Sequence, residues 1–279
     1  MDPIKEEVQY IKDTPIRIIR DSEISMFRGR LQPHWHEEIE IDCVLNGNVN
    51  YIINGTNYKV SQGEIVVVDS NIIHSGCCSE GTTLEETRAD VLTIQINKSV
   101  LNYANYDIPA FQEHINSAEG QEMKSIMLEM MNNYERKPPY YEMLINSLCL
   151  KLCYCLLSRH SSDRSGFGPS GKVNDSLKLA LQYIENHCTE ELKLEDITEL
   201  TGYNTSYFSR IFHQYTGFTF VEYLNRCRAN TAARYLMESD KSISDIAMDS
   251  GFPNVSSFIT FFKREFKTTP ERYRRLNKH

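Results

Sequence analysis

The sequence has no long apolar run. The longest, Leu148 to Leu157, is ten residues and contains Lys151, about half of the ~20 that a bilayer-crossing helix needs, so no membrane span is expected. Tryptophan is nearly absent, with Trp35 the single one. Only 13 glycines and 9 prolines occur in 279 residues, which excludes a collagen-like or low-complexity chain. Eight cysteines stand at 43, 77, 78, 149, 153, 155, 188 and 227 without a paired C-x-x-C framework. That pattern argues against a structural zinc site, and in a reducing compartment the thiols are expected to be free. Residues 1–15 carry Asp2, Lys5, Glu6, Glu7, Lys12 and Asp13 around no apolar core. No signal peptide is expected there, and a cytoplasmic location follows. What is present is ordinary: 41% hydrophobic and 24% charged residues, enough chain and core for about two domains.

An excess of basic charge is also lacking. The net charge is −8, which looks wrong for a nucleic-acid binder until the chain is divided. Asn174 to His279 carries 14 Lys+Arg and 14 Asp+Glu, whereas residues 1–173 carry 16 and 24. All the excess acid is therefore in the first part. From Asn254 onward, Lys263, Arg264, Lys267, Arg272, Arg274, Arg275 and Lys278 face only Glu265 and Glu271. A local basic stripe of this kind governs phosphate contact more than total charge does.

The division falls at Ser161–Gly171, a stretch rich in Ser, Gly and Pro between two helical patterns, which reads as a connector. The expected organisation is a domain over 1–160, a linker over 161–173 and a second domain over 174–279. Residues 15–97 read as short strands. Ile39, Ile41, Cys43 and Leu45 alternate with polar neighbours, and Asn54-Gly55 marks a hairpin turn. Regular short strands predict a barrel or sandwich. Over 119–136 and 140–160 the period becomes helical, with Ile145, Leu148, Leu152 and Leu156 along one side. That side suits core packing or a dimer contact.

The second domain contains a near-duplicate. Asp196-Ile-Thr-Glu-Leu-Thr-Gly-Tyr203 recurs as Asp245-Ile-Ala-Met-Asp-Ser-Gly-Phe252, and Phe208, Ile211 and Phe212 recur as Phe258, Phe261 and Phe262. Each unit reads as a short helix, a glycine turn and a second helix, the helix-turn-helix layout. The second helix of such a unit can enter a major groove. Thr219 to Met237 is predicted to join the units as one helix of ~19 residues, or ~28 Å. Adjacent major grooves on one side of B-DNA lie ~34 Å apart, so the connector has the reach to serve both.

The segments Tyr207-Phe-Ser-Arg-Ile-Phe212, Tyr223-Leu-Asn-Arg-Cys-Arg228, Ile243-Ser-Asp-Ile-Ala247 and Thr269-Pro-Glu-Arg-Tyr-Arg274 resemble the DNA-binding domain of AraC/XylS-family transcription regulators. The resemblance covers both helix-turn-helix units. It implies a core of Phe208, Ile211, Phe212, Phe258 and Phe262. It also implies DNA-facing roles for Thr205, Ser206, Ser209 and Arg210 in the first unit, and for Asn254, Val255, Ser256, Ile259, Thr260 and Lys263 in the second. Arg210 suits guanine O6 and N7 together, and suits a phosphate equally well. Thr198 stands where the family usually has Ala and Thr260 where it usually has Arg. The second unit is therefore expected to lean on backbone anchoring by Lys263, Arg264, Arg272, Arg274 and Arg275.

In the first domain, Gly29-Arg-Leu-Gln-Pro-His34-Trp-His36-Glu-Glu-Ile-Glu40, continued to Gly47, resembles the first cupin motif, and Gly63 to His74 the second. Asp69 and Asn71 stand where Pro and Gly are usual. The resemblance implies an α+β multidomain chain, with an N-terminal cupin-like β-barrel and flanking helices before an all-α double helix-turn-helix domain. It implies that His34, His36, Glu40 and His74 could hold a divalent transition metal, a set whose chemistry suits such an ion, although no cofactor is required. Parity places 34, 36 and 40 on one side of a strand. Parity equally allows that side to face solvent while Ile39, Ile41 and Cys43 face the core. Arg17, Arg30, Trp35 and Tyr51 join the four as effector candidates, Trp35 as a platform for a sugar ring. Cys77-Cys78 is a candidate redox or soft-metal site.

The expected function is a ligand-responsive transcription regulator and not an enzyme: an activator and homodimer that binds double-stranded DNA, a carbohydrate-like effector and RNA polymerase. The rivals are a metal-binding cupin enzyme or metal sensor with an accessory DNA-binding tail, and a constitutive DNA binder with a purely structural barrel.

Overall fold

The computed structural model describes residues 6, 8–12, 14–24, 32–78, 89–104, 110–162 and 171–277. The chain divides into two compact units, residues 1–169 and 170–279. Of the expected connector, Ser161–Ser162 already pair with Ala110–Phe111 and Gly171–Val173 open a helix, while 163–170 lie outside the described residues.

In the first unit, strands β1 (Ile16–Ile24), β7 (Ala89–Ile96), β2 (Ile39–Asn46), β5 (Ile65–Val68) and β9 (His114–Ile115) form one antiparallel sheet in that order. Strands β4 (Thr56–Ser61), β3 (Asn48–Ile53) and β6 (His74–Cys78) form a second. A short pair, β8 (Ala110–Phe111) and β10 (Ser161–Ser162), completes the strands. The β3–β4 turn is the predicted one. Ile53 pairs with Thr56 across Asn54 and Gly55, which have φ of 50° and 76°. Asn and Gly tolerate this left-handed pair of positions, which matches strand twist.

Two helices cover the larger sheet. Helix α1 (Gln121–Arg136) buries Met123, Ile126, Met127 and Met130, spaced by three and four. It stops at Lys137, before Pro138 and Pro139, because the residue before proline is excluded from helical geometry. Helix α2 (Tyr141–Arg159) buries Ile145, Leu148, Cys149, Leu152, Cys153, Cys155 and Leu156. Each buried Ile or Leu among them contributes about 1.5–3 kcal/mol. The helix reaches 19 residues with a mean hydropathy of 1.2, long and apolar enough by composition to cross a bilayer, which the ten-residue run alone did not indicate. Its apolar side is packed on α1 and the sheet.

Strand β2 therefore has both sides buried. Ile39, Ile41 and Cys43 pack toward α1 and α2, while Glu40, Asp42 and Val44 turn to the other side, where Val44 joins Val49, Tyr51, Ile53, Val66, Val68 and Val91 from both sheets. The solvent-facing alternative for Glu40 is excluded, since its residue is only 6% exposed.

The second unit is helical: α3 (Gly171–His187), α4 (Leu194–Thr201), α5 (Thr205–Thr216), α6 (Phe220–Glu238), α7 (Ile243–Asp249), α8 (Val255–Phe266) and α9 (Pro270–Asn277). The repeat holds down to its caps. Asn204 Oδ1 accepts from Tyr207 N at 2.9 Å, and Asn254 Oδ1 from Ser257 N at 2.8 Å. Both preceding turns carry a left-handed glycine, Gly202 with φ 72° and Gly251 with φ 84°. Phe208, Ile211, Phe212, Phe258 and Phe262 are all buried, as the resemblance implied, while Phe261, the repeat counterpart of Ile211, is only partly buried. Helix α6 has the predicted 19 residues and begins in a capping box between Thr219 and Glu222.

Candidate DNA interface and effector cavity

Helix α5 buries Phe208, Ile211, Phe212 and Tyr215, so helical geometry turns Thr205, Ser206, Ser209 and Arg210 outward. All four are exposed, and the stripe continues through His213 and Gln214 one turn on. Those two were missed, although i, i+4 spacing from Ser209 and Arg210 carried the signal. The Arg210 guanidinium lies 5.2 Å from the centre of the Tyr207 ring, which steadies it while leaving its donors outward.

Helix α8 exposes Ser256, Ser257, Thr260, Lys263 and Arg264 opposite Phe258 and Phe262. Val255 and Ile259 differ from expectation. Both are partly buried and pack on the cluster around Phe258 and Phe262, because they sit on the helix flank. Asn254 is exposed, but its side-chain oxygen is committed to the helix cap. Arg274 is likewise committed, donating to Lys241 O at 2.6 Å.

In the first unit the cupin-motif residues converge. His34, His36, Glu40 and His74 place their ligand atoms all within 4.8 Å of one another. His34 and His74 come together because residues 34 and 74 form an isolated antiparallel bridge, with both backbone hydrogen bonds at 3.0 Å. Asn71 takes the left-handed turn (φ 63°) where glycine was expected and donates to His36 O at 2.8 Å, so the second motif keeps its bend.

Each imidazole is oriented by a backbone carbonyl. His34 Nδ1 lies 2.9 Å from Gln32 O, His36 Nδ1 3.2 Å from Glu38 O, and His74 Nδ1 2.9 Å from Ile72 O. Donation from each Nδ1–H leaves Nε2 as the inward atom, the arrangement that orients histidine ligands in metal sites; on His36, without a metal, that atom carries a hydrogen and donates to Glu40. Glu40 Oε2 is 3.1 Å from His36 Nε2 and Oε1 is 3.5 Å from His74 Nε2. The buried His74 Nε2 has no well-formed hydrogen bond. These donors fit a divalent transition metal: three neutral nitrogens and one carboxylate oxygen within the span of a single coordination sphere.

Charge is arranged to match. Burial, then His74 beside it, pushes His34 down to about 3, so it is neutral at pH 7. Burial opposes charge on His36, but its hydrogen bond to Glu40 and the surrounding carboxylates hold its pKa above the usual value. Burial would raise Glu40, but hydrogen bonds and charge from His36 and His74 hold it well below the usual carboxylate range. Without a metal, a proton on His36 is what balances Glu40.

Around the four lie groups the motif did not supply. Gln95 Nε2 bridges two carboxylates, Glu40 Oε2 at 2.7 Å and Glu6 Oε2 at 2.9 Å. Asp42, on the same side of β2 as Glu40, accepts from Tyr51 OH at 2.9 Å and Thr93 Oγ1 at 2.6 Å. Its parity with Glu40 was the available signal. The cavity lined by His34, Glu40, His74 and these groups is about 60 Å³, with His36 not in its wall, well under the 300–1,000 Å³ of pockets for organic ligands. Tyr51 lines it. Trp35 is buried but does not line it, because strand alternation turns it away from its neighbouring histidines. Arg17 stands behind the cavity, paired with Glu6 at 2.6 Å. Arg30 lies outside the described residues. Cys77 is exposed, and the described cysteines form no disulfide with one another.

Two helix-turn-helix units joined by one helix in one unit, and a β-domain with a converging polar cavity in the other, define a two-part DNA-binding regulator. Comparison with known proteins agrees. Residues 197–276 match the family described as a helix-turn-helix domain, and residues 27–151 the AraC-like ligand binding domain. The melibiose operon regulatory protein of Escherichia coli strain K12 is 23% identical over 267 residues, 88% of this chain and 83% of that protein. The HTH-type transcriptional activator RhaS of Citrobacter koseri is 28% identical over 244 residues, 85% of each. Among solved structures, ToxT from Vibrio cholerae O395 is 16% identical, covering 94% of this chain and 98% of that one, with a TM-score of 0.46. The chain belongs to the AraC/XylS family of transcription regulators.

Proposed function

We propose that this chain is a sequence-specific transcription activator that acts as a homodimer, grips two adjacent major grooves per chain, recruits RNA polymerase and answers to a small effector in its N-terminal cavity. The observation that carries the DNA reading is the pair of exposed polar stripes on α5 and α8, each at the start of the second helix of its unit. The dimer reading rests on α2, which exposes Met143, Leu144, Leu150 and Tyr154 on the side away from the core. Helix α6 gives the two recognition helices the reach of adjacent grooves.

For the effector, a carbohydrate is supported by the relative named for the melibiose operon. The volume of the cavity and its chemistry favour a second reading, a divalent transition metal held by His34, His36, Glu40 and His74. Such an ion would supply a fixed positive charge and open positions for oxygen ligands. The residues of the chain do the rest: the carbonyls of Gln32, Glu38 and Ile72 fix the ring orientations, and Gln95 steadies Glu40. A sugar would require the cavity to open. An effector can act only by binding one arrangement of the protein better than another.

Elemental analysis of purified protein beside a His34→Ala/His36→Ala variant tests the metal. Near-stoichiometric metal in the parent, lost in the variant, supports it. A metal-free parent after reconstitution with iron, manganese, nickel and zinc removes it and leaves the sugar. A thermal-shift panel of mono- and disaccharides then decides that reading, since a ligand bound only by the folded state must raise the melting temperature.

A further inference from the structure

Both recognition helices rest on α6. Helix α5 does so through Phe212, whose ring stands edge-on to Tyr223. Helix α8 sits on smaller side chains: Phe258 and Phe262 cluster with Ala229, Ala232 and Ala233. Alanines let two helices approach closely but raise only low ridges, so this seat holds α8 near without fixing its angle. One side chain supplies direction. Arg226 of α6 pairs through Nη2 with Glu265 Oε1 on α8, and its guanidinium lies 4.4 Å from the centre of the Phe218 ring. Phe218 belongs to the first helix-turn-helix, where it follows the left-handed Gly217 (φ 76°) that ends α5. The Thr216 hydroxyl accepts from Phe218 N at 3.1 Å and donates to Phe212 O at 2.7 Å, which ties this residue to the last turn of α5. Only 19% of the Arg226 side chain and 14% of that of Glu265 are exposed. Burial lowers the Arg226 pKa and raises that of Glu265, and each partner opposes the shift of the other. A pair desolvated in this way adds little net stability. What it fixes is direction, because the planar guanidinium holds ring and carboxylate at set angles.

We propose that Arg226 is a positioning residue: it braces α8 against the end of α5, so that the two recognition helices meet DNA at one spacing and one rotation. The inference rests on the two-groove reading above and deepens it. Helix α6 sets the distance between the two helix-turn-helix units, and the Phe218–Arg226–Glu265 brace sets the rotation of one relative to the other. Arg226 need touch no DNA to do this. The specificity it confers is for the separation of two contact boxes, not for any base within them.

The full chain first enriches a two-box operator from a pool of random duplexes. Fluorescence anisotropy at about 50 mM salt, where duplex binding is strong, then compares that operator with versions carrying one base pair more or one less between the boxes. A duplex with the first box alone is the fourth probe. Each added pair turns the second box by about 34°. The parent should lose about tenfold or more on both spacing variants. Arg226→Ala should bind the operator several-fold more weakly, yet lose less than about threefold when the spacing changes, because units free to turn are not held to one separation. Its affinity for the single box should match that of the parent. Glu265→Gln, which leaves Arg226 on Phe218, should show the same pattern more weakly, and serves in place of Arg226→Ala if that variant melts early. A merely structural role would lower affinity on all four duplexes alike. That outcome, or a spacing penalty as steep in the variants as in the parent, would overturn the brace. A parent that enriches no two-box site would overturn the two-groove reading itself.

Discussion

The two turn glycines of the repeat invite a paired experiment, because sequence makes them equivalent and structure does not. Both have positive φ, 72° at Gly202 and 84° at Gly251, so alanine at either must adopt a left-handed backbone at a cost of roughly 1–2 kcal/mol. There the likeness ends. A Cβ at Gly202 meets nothing within 4 Å. At Gly251 it would stand 2.7 Å from Cys188 O and 2.8 Å from both Thr189 Cα and Thr189 O. These are backbone atoms, and the same loop is held by Arg228, whose Nε donates to Cys188 O at 2.8 Å and whose guanidinium donates to Glu190 O at 3.0 Å. The loop cannot yield without losing those bonds. Overpacking adds about 1–3 kcal/mol, so Gly251→Ala should cost about 2–5 kcal/mol against 1–2 for Gly202→Ala. Urea denaturation followed by far-UV circular dichroism reads the helical second unit. Fluorescence of Trp35, the single tryptophan, reads the first unit and should not move in either variant. Equal losses, or a larger loss at Gly202, would refute the packing argument.

Other outcomes follow from the same geometry. Arg210→Ala should cost about 1–3 kcal/mol on a selected operator and relax preference at one base pair; a uniform loss across sequences, with the salt slope flattened by about one, would move Arg210 to the backbone. Leu150→Glu with Tyr154→Glu, on exposed positions of α2, should convert a dimer to monomer by light scattering without lowering the Trp35 melting midpoint, and a monomeric parent would sink the dimer reading. In metal-free protein, the raised His36 pKa contributes stability that is full below 6.5 and fades as pH rises through the folded value. The lowered Glu40 pKa contributes stability that is present above 4.5 and fades as pH falls through its folded value. His34, pushed down to about 3 in the fold, costs stability progressively as pH falls below 6.5, so the Trp35 transition measured in chelator should be highest near neutral pH, and His36→Gln should erase the loss toward pH 8.5; a flat profile in the parent would contradict the pairing. Bound metal, competing with the His36 proton, should be released progressively as the pH is lowered.

The sequence by itself determined what depends on local order. The resemblance placed Phe208, Ile211, Phe212, Phe258 and Phe262 in the core, and the repeat with its glycine turns placed the helices, because helical period and turn chemistry are properties of neighbouring residues. Asn54-Gly55 fixed its hairpin for the same reason. The four cupin-motif residues were legible as a set from the resemblance to the two motifs, but not the direction in which they face. Only the tertiary structure decided that, by burying β2 on both sides, so that the polar side of the strand turns into a cavity and not to water. It also decided that Trp35 is turned from that cavity, that Glu6, Thr93 and Gln95 enter it from strands or segments distant in sequence, that Arg274 is consumed by Lys241 O, and that Gly251 is hemmed in where Gly202 is open. These are contacts between residues tens of positions apart, and a local pattern carries no record of which distant backbone will come to rest against it.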